Sequence, residues 1–291
     1  MKTGALTNIY DKKIENPQYY RQLSCRDNLI TLYNCPLTSK YVSGWSHKNY
    51  IVYVIKGRKI WHTAHGSYEL QEGSCVFVRK GACIVEQFFD TTFCLVMFFT
   101  PDEFICDVLK TKTTPIYKPG QKYQPVISID NDASVNAFFQ SIMTYFEGVA
   151  PDQSLLELKF RELILTIAGN PKNTELLSYF QSLLQEPQSI SLQRIMESNY
   201  CFNLKLEQFA QLSNRSLSAF KRDFYRQYKC TPGKWLTEKR LEHSMNLLSN
   251  ANRTVSEAAF ESGFESPSHF SRAFRQHFGM SPVSVKHAIA V

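Results

Sequence analysis

Two arginines, Arg222 and Arg272, stand fifty residues apart in matching surroundings. A guanidinium group presents its donors as a planar fork, which can bind the O6 and N7 atoms of a guanine in the major groove of duplex DNA. Each arginine follows a serine by four residues, Ser218 in one case and Ser268 in the other, so that serine and arginine share one face of a helix. The spacing indicates two helix surfaces that can bind base edges or phosphates.

These surfaces belong to an internal repeat. The segment SLSAFKRDFYRQYKCTP at 216–232 aligns with SPSHFSRAFRQHFGMSP at 266–282, and upstream EQFAQLS pairs with SEAAFESGF when the second copy is allowed one extra residue. In each copy two phenylalanines lie four residues apart and face the same side, which must be buried against a preceding helix. Ser216 and Ser266 stand where an N-cap would begin the second helix. Each copy is therefore predicted to be a helix-turn-helix unit.

The side of each second helix that faces away from the phenylalanines carries small polar and basic side chains. Lys221, His269 and the serines can donate hydrogen bonds to bases or to phosphates, whereas Arg226 and Arg275 are better placed to bind backbone phosphates and set the register. Phosphate contacts should dominate affinity, and the exposed face should dominate the choice of sequence. We expect double-stranded DNA as the partner.

A long connector is predicted between the two copies. The segment PGKWLTEKRLEHSMNLLSN at 232–250 has apolar residues at helical spacing and reads as one helix. A stiff connector fixes the distance between the second helices of the two copies, which we call the reading helices. If both enter the same face of B-DNA, they should lie about 34 Å apart, in successive major grooves.

The charge distribution supports a polyanionic partner for the C-terminal third. Of the 33 lysines and arginines and the 26 aspartates and glutamates, 14 and 8 respectively fall within residues 188–291, an excess of six positive charges. Residues 1–187 have an excess of only one. Because the repeat, the matching arginines and the charge excess coincide, DNA binding is favoured over a merely solvated basic helix.

The composition favours two domains and no membrane segment. A chain of 291 residues, 43% of them hydrophobic, is long enough for two cores. No stretch reaches the roughly 18 apolar residues that a bilayer span needs, and the polar N-terminal sequence lacks the apolar segment of a secretory signal. We expect a soluble, cytoplasmic protein without a cofactor. The eight cysteines lack paired C-x-x-C spacing and are expected to be reduced core residues.

The N-terminal half predicts a small antiparallel β-sandwich or barrel followed by helices. Short β-rich runs occupy residues 29–99, and polar turns that contain glycine separate them. After Pro101 the hydrophobic period changes from that of strands to that of helices. The helices are expected at 102–110, 131–147 and 153–169.

A domain boundary is expected within residues 170–190. One more helix should end near Gln185, and Pro187 favours a break in the chain there. We expect a regulatory or dimerisation domain at 1–175 and an all-helical DNA-binding domain at 185–291. The fold class is then α+β, with a β-barrel and helices followed by two helix-turn-helix units joined by a long helix.

Two features of the N-terminal half have more than one interpretation. The apolar faces of the helices at 131–147 and 153–169 could cover the barrel, or part of them could pair with a second copy of the chain in a homodimer. Four aromatic residues could line a ligand cavity or fill the barrel, and filling is favoured because packed interiors are the default. These aromatic residues are Tyr33, Trp45, Tyr53 and Trp61.

Enzymatic interpretations of the N-terminal half are weak. A cupin metal enzyme fused to a DNA-binding domain would hold its metal with histidines on one strand face, and the nearest approach is His62, His65 and Glu69. Positions three apart on a strand face opposite sides, so His62 and His65 could not both point at one ion. No histidine is placed to activate a lone cysteine as a nucleophile. We expect no metal site, no catalytic residue and no enzyme.

The repeat resembles the C-terminal domain of the AraC/XylS family of bacterial regulators over residues 188–287. The run A-x-x-x-G-F-x-S-x-S-x-F-S-R-x-F-R-x-x-F-G-x-S-P, from Ala259 to Pro282, carries the resemblance. It implies seven helices with two recognition helices, activation of transcription from bacterial promoters, and RNA polymerase as a partner. A repressor or an architectural DNA-binding protein is the alternative. By position, the resemblance implies base contacts from Ser218, Lys221, Arg222, Ser268, His269 and Arg272.

Two positions depart from the family pattern. Ser244 stands where the family usually has alanine in the connector helix, which puts the packing there in question. Lys229 replaces the glycine that Gly279 supplies in the second copy, which weakens the signal for a helix C-cap after the first reading helix. Neither position lies on the predicted reading face.

The N-terminal half is similar to the cupin-like sensory domains of the same family. YIVYVIKG at 50–57 and YELQEGSCVFVRKGACIV at 68–85 resemble the ExsA type of regulator, which activates type III secretion genes and is controlled by protein partners. The resemblance implies that the N-terminal domain receives the regulatory signal. That signal would come from a protein, with a small-molecule effector as the alternative.

Overall fold

The chain folds as two compact units, one spanning Thr7–Ile190 and one that includes Ser191–Val291. The first unit is rich in antiparallel strands and the second is built of helices, so the predicted α+β class is confirmed. None of the described helices is both long and apolar enough to cross a membrane. The computed structural model describes residues 6–17, 20–34, 39–89, 92–116, 123–185, 192–251 and 253–289.

Two sheets form the centre of the first unit. One sheet contains β1 (Thr7–Asn8), β4 (Tyr41–Ser46), β6 (Arg58–Thr63), β7 (Gly66–Gln71) and β9 (Gly81–Gln87), in the order β1-β4-β9-β6-β7. The other contains β2 (Arg21–Cys25), β3 (Asn28–Asn34), β5 (Asn49–Lys56), β8 (Cys75–Val78), β10 (Cys94–Thr100) and β11 (Val126–Ile129), in the order β11-β8-β5-β10-β3-β2. The described pairings are antiparallel except that of β1 with β4.

The central strand β10 shows why both faces of the six-stranded sheet are covered. Leu95, Met97 and Phe99 belong to the core between the two sheets, whereas Val96 and Phe98 belong to the core on the opposite face. All five side chains are buried. Because side chains alternate along a strand, a strand that is apolar at every position must be buried on both sides. The six-stranded sheet accordingly lies between the five-stranded sheet and a layer of helices.

The described residues of this unit form five helices. They are α1 (Ile9–Glu15), α2 (Asp102–Lys110), α3 (Ala133–Glu147), α4 (Gln153–Gly169) and α5 (Thr174–Gln185). The aromatic rings of α3 pack on the sheet, since Phe139 stacks on Tyr53 of β5 with 4.2 Å between ring centroids and Phe138 contacts Phe98 at 5.7 Å. A buried ion pair with 2.7 Å between Lys80 Nζ and Asp102 Oδ2 fixes the start of α2. The core on this side is therefore shared by sheet and helices.

The sequence predictions for this unit are largely confirmed. The β-rich runs within 29–99 are strands, and the helices predicted at 102–110 and 153–169 have those bounds, while the helix predicted at 131–147 begins at Ala133. The strands β1, β2, β4, β7 and β11 were not predicted. They are short or polar, and β4 contains Gly44, so each depends on its neighbours for pairing. The break predicted at Pro187 lies outside the described residues.

The cysteines are free thiols among the described residues, and burial explains most of them. Cys25, Cys75, Cys83 and Cys106 are buried, as predicted for reduced core residues. Burial raises the pKa of the Cys83 thiol to about 12 and that of Cys106 to about 11. Thiols held in this way are protonated and unreactive at neutral pH. Cys94, Cys201 and Cys230 are partly buried, and Cys35 lies outside the described residues.

The interior of the sandwich is not completely filled. A cavity of about 120 Å³ lies between the two sheets, and its lining includes Tyr33 and Trp61. Trp61 is buried in the core between the sheets and also borders the cavity, and the partly buried Tyr33 packs against the same core. The prediction that the aromatic rings fill the interior holds for Trp45, which is buried, and Tyr53 lies on the helix side of the sheet against Phe139.

The described part of the second unit contains the seven helices that the family resemblance implies. The helix predicted at 232–250 has those bounds and begins with an N-cap, since Thr231 Oγ1 accepts a hydrogen bond from Lys234 N at 3.3 Å. The helices are α6 (Leu192–Asn199), α7 (Leu206–Leu212), α8 (Leu217–Tyr228), α9 (Pro232–Asn250), α10 (Val255–Glu261), α11 (Pro267–Phe278) and α12 (Pro282–Ile289).

Candidate nucleic-acid interface

The two copies of the repeat fold as helix-turn-helix units, α7 with α8 and α10 with α11, and both turns use one hydrogen-bond pattern. In the first turn Asn214 N donates to Gln211 O at 3.0 Å and Arg215 N to Ala210 O at 2.9 Å. In the second, Gly263 N donates to Phe260 O and Phe264 N to Ala259 O, both at 3.0 Å. This pair of bonds is the Schellman motif, which ends a helix through one residue in the left-handed conformation. Asn214 and Gly263 supply that residue, with φ of 54° and 86°.

Serine N-caps begin both reading helices, as predicted. Ser216 Oγ accepts a hydrogen bond from Ala219 N at 3.3 Å, and Ser266 Oγ accepts one from His269 N at 3.2 Å. Pro267 occupies the first helical position, where a missing amide hydrogen costs nothing. The partial positive charge at the N-terminus of each of these helices favours an anion such as a phosphate nearby.

One face of each reading helix is buried, which fixes the direction of the other. Phe220 and Phe224 of α8 and Phe270 and Phe274 of α11 are fully buried. Phe224 contacts Trp235 at 6.1 Å between ring centroids, and the second pair belongs to a core shared with α9 and α12. Buried rings at this spacing hold the opposite face toward solvent. The exposed face of each helix is therefore defined by packing.

The residues predicted to contact DNA all lie on the exposed faces of α8 and α11. The side chains of Arg222 and Arg226 are 67% and 73% exposed. Their roles as base or phosphate contacts remain predictions, since exposure alone does not assign them. The exposed set is Ser218, Lys221, Arg222 and Arg226 in α8, with Ser268, His269, Arg272 and Arg275 in α11.

Asp223 lies among the arginines of the first helix-turn-helix unit, α7 with α8, and was not singled out from the sequence. Its carboxylate lies 3.2 Å from Arg222 Nε, 3.4 Å from Arg215 Nε and 3.9 Å from Arg226 Nη1. Partial burial opposes ionisation, but the hydrogen bond from Arg222 and the charges of Arg222 and Arg215 lower the pKa of Asp223 below its usual value. The carboxylate is therefore ionised at neutral pH. The signal was present in the sequence, because the repeat has Ala273 at the matching position.

The connector helix α9 holds the segment that precedes α7, the first helix of the first helix-turn-helix unit. Arg240 Nε donates to Tyr200 O at 2.7 Å, and Arg240 Nη2 donates to Phe202 O at 2.8 Å. Burial lowers the pKa of Arg240, yet the group stays charged because an arginine begins from a very high value. Nineteen helical residues make α9 about 28 Å long. The distance between the DNA-reading surfaces in a complex remains a prediction.

The two departures from the family pattern are both accommodated. Ser244 is buried, and its hydroxyl donates to Leu241 O at 2.7 Å, so no polar group is left unsatisfied. Lys229 ends α8 in the left-handed conformation at φ 56°, where Gly279 ends α11 at φ 73°. The C-cap forms without glycine, at the strain that a Cβ atom brings to this conformation.

The side chains that a cupin metal site would need are committed elsewhere. His62 makes hydrogen bonds with Ser67 Oγ at 2.7 Å and with Glu86 Oε2 at 3.1 Å. Glu69 lies 3.9 Å from Arg58, and His65 is exposed beside a turn. Among the residues described in the structure, no group of three histidine, cysteine, aspartate or glutamate side chains could hold a metal ion.

Two helix-turn-helix units on a stiff connector define a class of DNA-binding proteins, and comparison with known families agrees. Residues 209–288 match the model of a helix-turn-helix domain, and residues 49–179 match that of the ExsA N-terminal regulatory domain. The chain therefore joins an N-terminal regulatory domain of the ExsA type to a C-terminal helix-turn-helix domain, the combination that the resemblance to AraC/XylS transcriptional regulators implies.

Individual relatives are similar to this chain over different lengths. The virulence regulon transcriptional activator VirF of Yersinia enterocolitica is 27% identical over 232 residues, covering 79% of this chain and 85% of that protein. The HTH-type transcriptional regulator ExsA of Pseudomonas aeruginosa is 32% identical over 125 residues, covering 43% and 45%. Among solved structures, an apo variant of ToxT from Vibrio cholerae is 11% identical, covers 90% of this chain and 98% of that one, and gives a TM-score of 0.42.

Proposed function

We propose that the protein is a sequence-specific transcriptional activator that binds promoter DNA through α8 and α11 in two successive major grooves. The observation that carries the proposal is the duplicated unit, in which packed phenylalanines leave all eight candidate contact residues exposed. Activation is supported by the relative VirF, which is named a transcriptional activator. An activator of this kind works with RNA polymerase, and since it acts on the chromosome we expect it in the cytoplasm.

The two kinds of DNA contact are assigned to different residues. Arg222 and Arg272 have the forked side chain that matches a guanine edge. Arg226 and Arg275 lie further along the helices and are assigned to phosphates, which fix the register without reading sequence. The remaining base contacts are assigned to Ser218, Lys221, Ser268 and His269.

Selection from a pool of random duplexes tests this proposal directly. We expect the full-length protein to enrich a site with two short conserved elements about one helical turn apart, and footprinting should protect both. Enrichment of a single element would leave only one unit in contact with DNA. A protein that enriches no sequence and binds all duplexes alike would be architectural, and the proposal would fail.

We also propose that the N-terminal compact unit, Thr7–Ile190, forms a homodimer through α4. Most apolar residues predicted on α3 and α4 are buried within the unit, including Phe138 and Phe160. Three leucines of α4 are exposed along one side, Leu155 at 40%, Leu158 at 60% and Leu165 at 36%. They follow a spacing of three and seven residues, which aligns them on one face. An exposed apolar stripe of this kind is typical of a helix that pairs with a partner.

The dimer is tested by light scattering on the full-length chain. Leu158→Glu should convert a dimer into a monomer, because a buried carboxylate at the centre of the stripe has no partner. Val149→Glu is the matched control, since Val149 is 93% exposed and lies outside the stripe. A wild-type monomer at high concentration, or equal effects of the two variants, would contradict the proposal.

Regulation is proposed to act through the N-terminal domain, by a small molecule or by a protein partner. The cavity between the sheets supports a small effector, and three lysines are among its lining residues, which makes organic acids the first compounds to test. Lys59 Nζ donates to Gln87 Oε1 at 2.7 Å, and Lys13 Nζ lies 3.4 Å from the centroid of the Tyr33 ring. A ligand that binds only the folded state must raise the melting temperature. If butyrate and its homologues leave it unchanged, a protein partner becomes the better candidate.

We propose no enzymatic activity. The relatives VirF and ExsA are named transcriptional regulators. The one rival with a specific residue set, a cupin metal centre, requires His62, and that imidazole is engaged by Ser67 and Glu86. Zinc or iron(II) titration that produced a stoichiometric, tightly bound metal would reopen this alternative.

A further inference from the structure

The first reading helix carries an acidic residue where the second carries none. Asp223 contacts the side chains of Arg215, Arg222 and Arg226, and the residue at its position in the repeat is Ala273. The sequence of α11, PSHFSRAFRQHF, contains no aspartate or glutamate. A carboxylate on a DNA-facing helix works against affinity, because it repels phosphates. Its presence beside three arginines therefore needs a physical explanation.

We infer that Asp223 is a positioning residue that orients Arg222 for base reading, an inference that rests on the proposed function. Asp223 Oδ1 accepts a hydrogen bond from Arg222 Nε at 3.2 Å. A guanidinium held at Nε keeps the edge formed by its two terminal nitrogens free, and that edge is a fork for guanine O6 and N7. A fork that is already oriented loses less side-chain freedom when it binds.

The same carboxylate lowers binding to sequences that lack the preferred base. Arg226 Nη1 lies 3.9 Å from Asp223 Oδ1, so Arg222 and Arg226 both have a competing anion when they approach a phosphate. The competition weakens binding to every duplex alike. Only the preferred base gains from the oriented fork. Asp223 thus raises the ratio of specific to non-specific affinity of the first helix-turn-helix unit.

A purely structural role is the competing explanation. The side chain of Arg215 is 18% exposed, forms an ion pair with Asp223 through Nε, and donates a hydrogen bond from Nη1 to Ser213 O at 2.9 Å. Asp223 could therefore serve only to brace the turn between α7 and α8. A brace would change stability and overall affinity, but it would leave the ratio between two duplexes unchanged.

The test measures dissociation constants of the full-length protein at several salt concentrations. The two probes are a duplex selected by the wild type from a random pool and a scrambled duplex of the same composition. Asp223→Ala removes charge and hydrogen bond, while Asp223→Asn removes charge and keeps size and an acceptor. We expect the specific to non-specific ratio to fall about fivefold or more in Asp223→Ala and less in Asp223→Asn, with tighter binding of the scrambled duplex in both.

Two further variants separate positioning from bracing. Ala273→Asp places a carboxylate beside Arg272 in the second unit, and it should weaken binding to the scrambled duplex. Arg215→Met removes the brace and leaves Arg222 beside Asp223, and it should lower the melting temperature while leaving the ratio unchanged.

The outcomes distinguish this inference from the proposed function. An unchanged ratio in Asp223→Ala, or an Arg215→Met variant with the same loss of ratio, would overturn the positioning role. If the wild type selects no duplex from the pool, the proposed function itself fails. Melting curves of each variant verify that the compared proteins are folded.

Discussion

The two helix-turn-helix units have similar backbone conformations and differ in their solvent-exposed side chains. Both turns have the same two Schellman hydrogen bonds, and both reading helices begin at a serine cap and bury two phenylalanines. At the left-handed positions the second unit has Gly263 and Gly279, whereas the first has Asn214 and Lys229. Packing and capping therefore set the conformation of the helix-turn-helix unit. Glycine only lowers the strain where the backbone demands a positive φ.

The two reading helices also differ in the charges that they carry. The first reading helix places Asp223 among its arginines, while the second carries Arg272 and Arg275 with no acid in the helix. The first unit is therefore expected to depend more on the identity of the base, and the second more on phosphate attraction. Two copies of one fold can divide affinity and selectivity between them in this way.

The largest effect is expected from Gly263→Ala. Gly263 has φ of 86°, and a Cβ atom there would lie 2.8 Å from Cys201 O and 2.9 Å from its carbonyl carbon. Strain in the left-handed region and the clash with backbone should together lower the free energy of unfolding by about 3 kcal/mol. Chemical denaturation of the full-length protein, monitored by circular dichroism, measures the loss.

Gly279→Ala is the matched control for that prediction. Gly279 has φ of 73°, and among the described residues no heavy atom lies within 4 Å of the position a Cβ atom would take. Only backbone strain remains, so the loss should be about 1 kcal/mol. Equal losses in the two variants would mean that the backbone around Gly263 gives way, and that this glycine is required for conformation alone.

The next largest effect concerns base reading. Arg272→Ala should weaken binding to the selected site and relax selectivity at one base pair, since a bidentate contact discriminates by about 1–3 kcal/mol. Arg222→Ala should do the same at a different base pair, in the other half of the site. Dissociation constants for a panel of singly substituted duplexes measure both. If either variant binds every duplex of the panel with wild-type affinity, that arginine does not read a base.

Elements of the fold could be predicted from the sequence where their apolar residues recur at a regular spacing over a long segment. The repeat predicted the helix-turn-helix units, their caps and the exposed faces, because Phe220, Phe224 and their counterparts recur at one period. The strand β4 could not be predicted in the same way, since Gly44 and two serines interrupt its apolar pattern. Its pairing with β9 from Tyr41 to Ser46 supplies what the local sequence lacks.

Side-chain contacts across a turn were the hardest to predict. Arg215 and Asp223 are eight residues apart, and only the turn geometry brings Arg215 Nε to 3.4 Å from the carboxylate. The cavity was the less favoured of the two interpretations for a related reason. Packed interiors are the default, and the lining of the cavity depends on residues from both sheets, such as Tyr33 and Trp61.

A smaller effect of opposite sign is expected from Lys229→Gly. Lys229 ends α8 at φ 56°, where a residue with a Cβ atom is strained and glycine is not. Removing the strain outweighs the extra freedom of glycine in the unfolded chain, so the protein should gain about 1 kcal/mol. Lys229→Ala keeps the Cβ atom and should leave the free energy of unfolding within about 0.5 kcal/mol of the wild type. A gain of similar size in both variants would assign the effect to the lysine charge.

The smallest effects are expected at the phosphate contacts, and they compare the two units most directly. Arg275→Ala should lower affinity by a few-fold for all duplexes alike and make the slope of log K against log salt shallower by about 0.9, the value for one lost phosphate contact. Arg226→Ala should have a smaller effect on both quantities, because Arg226 lies 3.9 Å from Asp223 and must leave that carboxylate to reach a phosphate. In an Asp223→Ala background the two arginine variants should become equal. If Arg226→Ala instead causes a loss that depends on sequence, Arg226 reads a base, and the division of roles between the units has to be redrawn.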